Sequence, residues 1–324
     1  MQQFLSGISV TCFVGSYLIA MGLELTRPVF RLPARTALIG GFTVAGLIAQ
    51  AVYLVMLANP QQAVDGTPIG NDVGLLADWY SWSLLLAWAV ALAYLVLFLR
   101  RPDTTIGYFL LPPVLGLILL ALAVDDWEPF NRQRAAGFWR TIHGMSMLVG
   151  AAIVLIGFLA GIMYLVQSAR LKRKRRGSSG LKLPTLEWLQ GLNRAALVAS
   201  MIAVAVGTLA GVVMNLNASG SVAWTSRGIV LPLVLLLWLV AATTIEFLYR
   251  PARQGRKIAY LTLASFGFLV LAMSGVLGSG HGAVGKKENN SQEQSSPAKQ
   301  NSESQRSSND WIEPTRSDKA EGSP

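Results

Sequence analysis

Apolar stretches of about 20 residues recur along this chain, with charged connections between them. Crossing roughly 30 Å of hydrocarbon takes about 20 residues in a helix. A backbone in lipid must satisfy its own polar groups, so such a run specifies a spanning helix. Eight stretches qualify, near residues 4–23, 36–58, 79–99, 106–124, 141–167, 195–216, 229–248 and 258–277. They predict an all-α fold, a polytopic transmembrane helical bundle of about eight spans. The fourth and eighth are marginal in length, and Pro112-Pro113 is expected to kink the fourth by removing backbone donors. These runs are too long and continuous for the alternation of a β-barrel. Composition agrees: 14% of residues are charged, against roughly 25% in soluble domains.

The net charge of +10 is not a nucleic-acid signal, because its lysines and arginines sit in short connections between apolar runs. Arg27, Arg31 and Arg35 follow the first stretch, Arg100 and Arg101 the third, and six basic residues within 170–176 the fifth. Arg250, Arg253, Arg256 and Lys257 follow the seventh. The intervening connections carry Asp65, Asp72 and Asp78, then Asp125, Asp126 and Glu128, with Arg132, Arg134 and Arg140 blurring the alternation. The positive-inside rule places the basic connections in the cytoplasm and both termini outside. A multi-pass membrane location follows as the expectation, with the lipid bilayer as a partner. The cluster at 170–176 is suited to anionic lipid as well as to fixing topology.

The first stretch lacks a basic n-region and a small-x-small cleavage site, so it reads as a retained span. Residues 1–281 form the expected membrane domain. Residues 282–324 hold nine serines and thirteen charged side chains with almost no large apolar ones. Such a tail cannot bury enough surface to offset its ordering entropy and is expected to be disordered. Cys12 is the only cysteine, which excludes an intramolecular disulfide and a CxxC redox pair. Nucleotide loops, HExxH, paired catalytic carboxylates and a G-x-S-x-G elbow are absent, so hydrolysis is a poor hypothesis.

The chain has two histidines, and the predicted topology puts both at the outer face. His143 opens the fifth stretch in Trp139-Arg140-Thr141-Ile142-His143-Gly144. His281 follows the eighth in Gly278-Ser279-Gly280-His281-Gly282. Imidazoles so placed can ligate a metal or haem iron, or relay protons. Each also has a plainer role. His143 can bond a carbonyl or water at the headgroup boundary, and the glycines around His281 can simply mark the exit into a tail. Trp224 and Arg227, in the sixth connection, offer an aromatic plane and a cation suited to a carboxylate such as a haem propionate. An arginine there can equally snorkel. Trp79, Trp82, Trp127 and Trp139 lie at the same level, as an interfacial belt or as an aromatic floor under a planar ligand. Gly157-x-x-x-Gly161 permits close helix approach, and Glu246 sits near the inner end of the seventh stretch.

The combination from Trp139 through Gly285 resembles the cytochrome c assembly family, of CcsA/ResC type, and is most similar to its HemX-like members. The resemblance rests on the histidine-opened fifth helix and its Met163-Tyr164-Leu165-Val166-Gln167 exit. It continues through Leu183-Pro184-Thr185-Leu186-Glu187, Leu192-Asn193-Arg194 and the final G-x-H-G. The resemblance implies haem held at the outer face between two histidines, His143 and His281, with Trp224 in the intervening loop, for delivery to apocytochrome c. The family loop is rich in tryptophan and ends in Trp-Asp, whereas Ala223-Trp224-Thr225-Ser226-Arg227 keeps one tryptophan and no aspartate. It further implies a ResB-like membrane partner, and a haem-handling role or membership of a haem lyase system instead of self-contained catalysis. Two other classes stay open: a non-enzymatic membrane factor stabilising a haem-synthesis or respiratory assembly complex, and a small-solute transporter. Broken helices and several midplane polar residues would support the last, and the sequence offers few of them.

Overall fold

The structure is a computed structural model, and it describes residues 10–27, 34–58, 61–62, 68–69, 78–124, 138–172, 182–220, 227–248 and 255–279. Among these are eight helices, one on each predicted stretch: α1 (Val10–Leu25), α2 (Arg35–Ala58), α3 (Trp79–Arg100), α4 (Gly107–Ala123), α5 (Phe138–Lys172), α6 (Leu186–Ser219), α7 (Arg227–Leu248) and α8 (Gly255–Ser279). A two-residue antiparallel pair, Gln61–Gln62 with Pro68–Ile69, lies between α2 and α3. Five helices are long and apolar enough to cross a bilayer: α2, α3, α5, α6 and α7. The described apolar lengths of α1, α4 and α8 are shorter. Large apolar side chains such as Leu209, 67% exposed, and Leu237, 70% exposed, point away from the protein, where hydrocarbon is the solvent that suits them. The protein is therefore a multi-pass, helical membrane protein. The tail expected to be disordered and His281 fall within residues 280–324, outside the described residues.

Helices α5 and α6 extend well beyond their apolar runs. At 1.5 Å per residue, 35 and 34 residues make rods of about 50 Å, roughly 20 Å longer than the hydrocarbon is thick. Each end has its own chemical reason. Thr185 caps α6 through its Oγ1, which accepts from the Trp188 amide at 3.4 Å, and Pro184 precedes it. Gly220 ends it in the left-handed region, φ 66°, with its N–H on the Leu216 carbonyl. Asp78 caps α3 by accepting from the Ser81 amide at 3.0 Å. Helix α4 runs through Pro112 and Pro113 without ending there.

The first four helices are tied by buried polar contacts. Tyr17 of α1 lies with its ring against Gly46 of α2, where a Cβ would come within 2.8 Å of it. Its hydroxyl donates to Gln50 Oε1 at 2.8 Å, and Gln50 Nε2 donates to the Leu84 carbonyl of α3 at 3.0 Å. Arg27, just past α1, donates to the Pro102 and Thr104 carbonyls at 2.9 and 2.7 Å and pairs with the buried Glu24. The Thr105 amide in turn donates to the Lys182 carbonyl ahead of α6, and Arg101 lies over the Trp188 ring. Residues flanking three of the basic connections therefore meet at one end of the bundle. Near that end Glu246, 2% exposed, pairs with Arg194 at 3.9 Å.

Helices α5 and α6 pack antiparallel in a register that glycines define. A Cβ at Gly150 would meet Val204 at 2.9 Å, one at Gly157 would meet Ala196 at 3.0 Å, and one at Gly207 would meet Met147 at 3.1 Å. Gly161 packs instead on α8, against Thr262, Leu263 and the Ala259 carbonyl. The predicted small-residue pattern on α5 thus faces two neighbours, with Gly157 toward α6 and Gly161 toward α8. Phe158 stacks on Phe266, and Trp238 of α7 stacks on Phe268 while its Nε1 donates to Ser265.

Candidate functional site

His143 lies in the second turn of α5, at the opposite end from the Arg27 clamp, where the α5–α6 seam continues outward. Here the glycines are on α6. Gly207 and Gly211 are four residues apart and so share a helix face. The Gly207 carbonyl lies 2.7 Å from His143 Nδ1. A carbonyl can only accept, so Nδ1 carries the proton and donates. In the neutral ring Nε2 then keeps its lone pair. A Cβ at Gly211 would stand 2.8 Å from Nδ1 and 2.9 Å from Cε1, closer than side chains pack, so the ring occupies space that only glycine leaves there. The carbonyl bond expected of a boundary histidine is present, and it engages one ring nitrogen of two.

A partly open cavity of about 210 Å³ adjoins the imidazole, lined by His143 of α5, by Thr208, Gly211, Val212, Met214 and Asn215 of α6, and by Gly228, Ile229 and Pro232 of α7. Its walls are mostly apolar. Thr208 spends its hydroxyl on the Val204 carbonyl at 2.8 Å. Pro232 has no amide proton, so the Gly228 carbonyl lacks the usual helical donor four residues on.

Of the other residues singled out in the sequence, His281 and Trp224 lie outside the described residues, as does the Arg227 side chain. The Arg227 backbone opens α7, directly before the cavity residue Gly228. Trp79 and Trp82 meet edge-on at 6.4 Å between centroids, and Trp139 pairs edge-on with Phe138 while 41% exposed. Exposed or paired with each other at helix starts, these rings fit the interfacial belt, and no tryptophan among the described residues lines the cavity. Sequence reasoning missed Gly207, Gly211, Met214 and Pro232. The Gly-x-x-x-Gly spacing at 207–211 was the available signal. What it seats depends on the α5–α6 register, which periodicity does not encode.

The donor set can be tested against haem on this geometry. Histidines that ligate metal usually donate their second ring N–H to a carbonyl or carboxylate, which fixes the tautomer and orients the ring. His143 has the second of these contacts, on Nδ1, which would leave Nε2 as the atom to coordinate. The cavity is smaller than the 300–1,000 Å³ of typical enclosed ligand sites, so it fits one part of a porphyrin and not a whole one. No group of three or more histidine, cysteine or acidic side chains occurs among the described residues, so a closed multidentate metal cage has no basis there.

The family described as Cytochrome C assembly protein matches residues 76–282, well over half of the chain. The chain belongs to the cytochrome c assembly protein family. No curated protein matches it. The matched stretch begins just before α3 and takes in His143, the α6 glycines, Trp224, Arg227 and His281, whereas α1 and α2 precede it. Family membership assigns the chain a role in cytochrome c assembly and haem handling at a membrane.

Proposed function

We propose that this member of the cytochrome c assembly family, closest in type to HemX-like proteins, holds haem noncovalently at the extracytoplasmic face for a partner. In this reading haem is cargo. His143 and His281 are its iron ligands, Trp224 flanks it, and Arg227 pairs with a propionate. A ResB-like membrane protein and apocytochrome c are the proposed partners, and the latter presents the thiols. The proposal includes eight spans, both termini outside and the bacterial inner membrane as the site.

The observation that carries the reading is the contact of His143 Nδ1 with the Gly207 carbonyl. The Gly207 carbonyl accepts a hydrogen bond from Nδ1 beside an apolar cavity, which supports Nε2 of the neutral ring as the iron ligand. The chain's residues fix orientation and exposure of the porphyrin and supply no nucleophile. Purified protein loaded with haem should show a Soret band that weakens in both His143→Ala and His281→Ala. A haem-free complex that survives both changes would favour the assembly-factor alternative.

A further inference from the structure

We infer that α6 and α7 hold a monovalent alkali cation between Asn193, Thr243 and Glu246, at the end of the bundle remote from His143. The inference is independent of the haem reading and uses none of its residues. Asn193 is 0% exposed, and neither its Oδ1 nor its Nδ2 has a hydrogen-bond partner among the described residues. The Thr243 hydroxyl is also buried without one. Polar groups left unbonded in an interior are expensive, and each calls for a partner such as an ion or an ordered water.

Helix faces bring these side chains to one place. Asn193 and Val204 are about three turns apart, so they share a face of α6. Val204 packs on Gly150 of α5 and joins Leu197, Leu235, Leu239 and Ala242 in one apolar cluster. On α7, Glu246 continues the row Leu235, Leu239, Ala242 at helical spacing, and Thr243 is one turn before it. Arg194, next to Asn193, pairs with Glu246 at 3.9 Å, which fixes α6 and α7 at a common level here.

Glu246, 2% exposed, brings a formal negative charge into this layer, and Arg194 meets it from a position 42% exposed. An ionisable side chain buried within a membrane domain marks a functional site by default. The donors are a carboxylate, an amide oxygen and a hydroxyl, all hard oxygens, which exclude a preference for soft metals. Dications usually gather several carboxylates, and no such group occurs among the described residues. One carboxylate with neutral oxygens suits a monovalent ion, with water completing its shell. Bound there, the ion joins α6 to α7, the helices whose opposite ends line the His143 cavity.

The test uses the full-length protein as purified in detergent. Thermal melts followed by tryptophan fluorescence compare sodium, potassium and choline chloride at equal ionic strength, and equilibrium dialysis measures retained radioactive sodium and rubidium. The variants are Asn193→Leu, Thr243→Val and Glu246→Gln, with Glu187→Gln, an exposed carboxylate on α6, as the control. In wild type the melting temperature should climb with the logarithm of sodium or potassium concentration and stay flat in choline, as for any ligand of the folded form alone. Asn193→Leu and Thr243→Val should each lose about tenfold or more in cation affinity, and Glu246→Gln should abolish the dependence, while Glu187→Gln behaves as wild type. In choline, Asn193→Leu should melt no lower than wild type, because it removes an unbonded polar group, so its comparison stands even where Glu246→Gln does not fold. Equal melting in all three salts with no retained ion means an ordered water only and overturns the inference. Cation binding that survives in both Asn193→Leu and Thr243→Val places the ion elsewhere and overturns it too. Haem uptake by the same preparations reports separately on the His143 reading.

Discussion

A single glycine decides whether the His143 ring can sit where it does. At Gly211 a methyl group would overlap the imidazole at 2.8 Å, and α6 cannot retreat without opening the seam at Gly207. Gly211→Ala should therefore leave the helix as stable or more so, since alanine is the better helix former, while pushing the ring off the Gly207 carbonyl. Losing such an orienting contact typically costs about 10–100-fold in metal affinity, and haem titration followed by absorbance should show a drop of that order. Unchanged affinity would mean that the ring's seat is irrelevant to binding. His143 itself was legible as one of two imidazoles in the chain. Its seat was not, because the facing residues lie 64 and 68 positions away and meet only through the antiparallel packing of two helices.

The helices were legible as elements because hydrocarbon imposes its own length on sequence, and each predicted stretch holds one helix. Their ends were less so. Hydropathy marks where lipid stops, whereas Ser168–Lys172 and Leu186–Arg194 continue the helices as polar or mixed turns. The polar clamps between elements were also hidden, since Gln50 and Tyr17 look like chance polar groups in apolar runs until α1, α2 and α3 are packed. Tyr17→Phe removes the donor to Gln50 Oε1 and should cost about 1 kcal/mol in a denaturant-induced unfolding experiment in micelles, with haem binding unaffected. Arg27→Ala strips two carbonyls and the buried Glu24 of their cation. A loss of roughly 3 kcal/mol is expected, because a buried charge without its partner is the expensive case.

For the whole molecule, the contacts gather residues flanking three basic connections at one end of the bundle and His143 at the other. That separation is what the charge alternation along the sequence predicts, and the positive-inside rule assigns the basic end to the cytoplasm. With Cys12→Ser as background, a membrane-impermeant thiol reagent on intact cells should label Ser219→Cys, at the end of α6, and spare Ser178→Cys in the basic connection. Reversed labelling would put the His143 site on the cytoplasmic face and end a delivery role outside.

The most direct test of the account is the absorption spectrum of the purified, haem-loaded protein beside its His143→Ala variant. The account predicts a Soret band in the parent that collapses in the variant, with an unchanged melting profile for the helical bundle. A band of equal height and position in both would show that the imidazole held by Gly207 does not bind the iron.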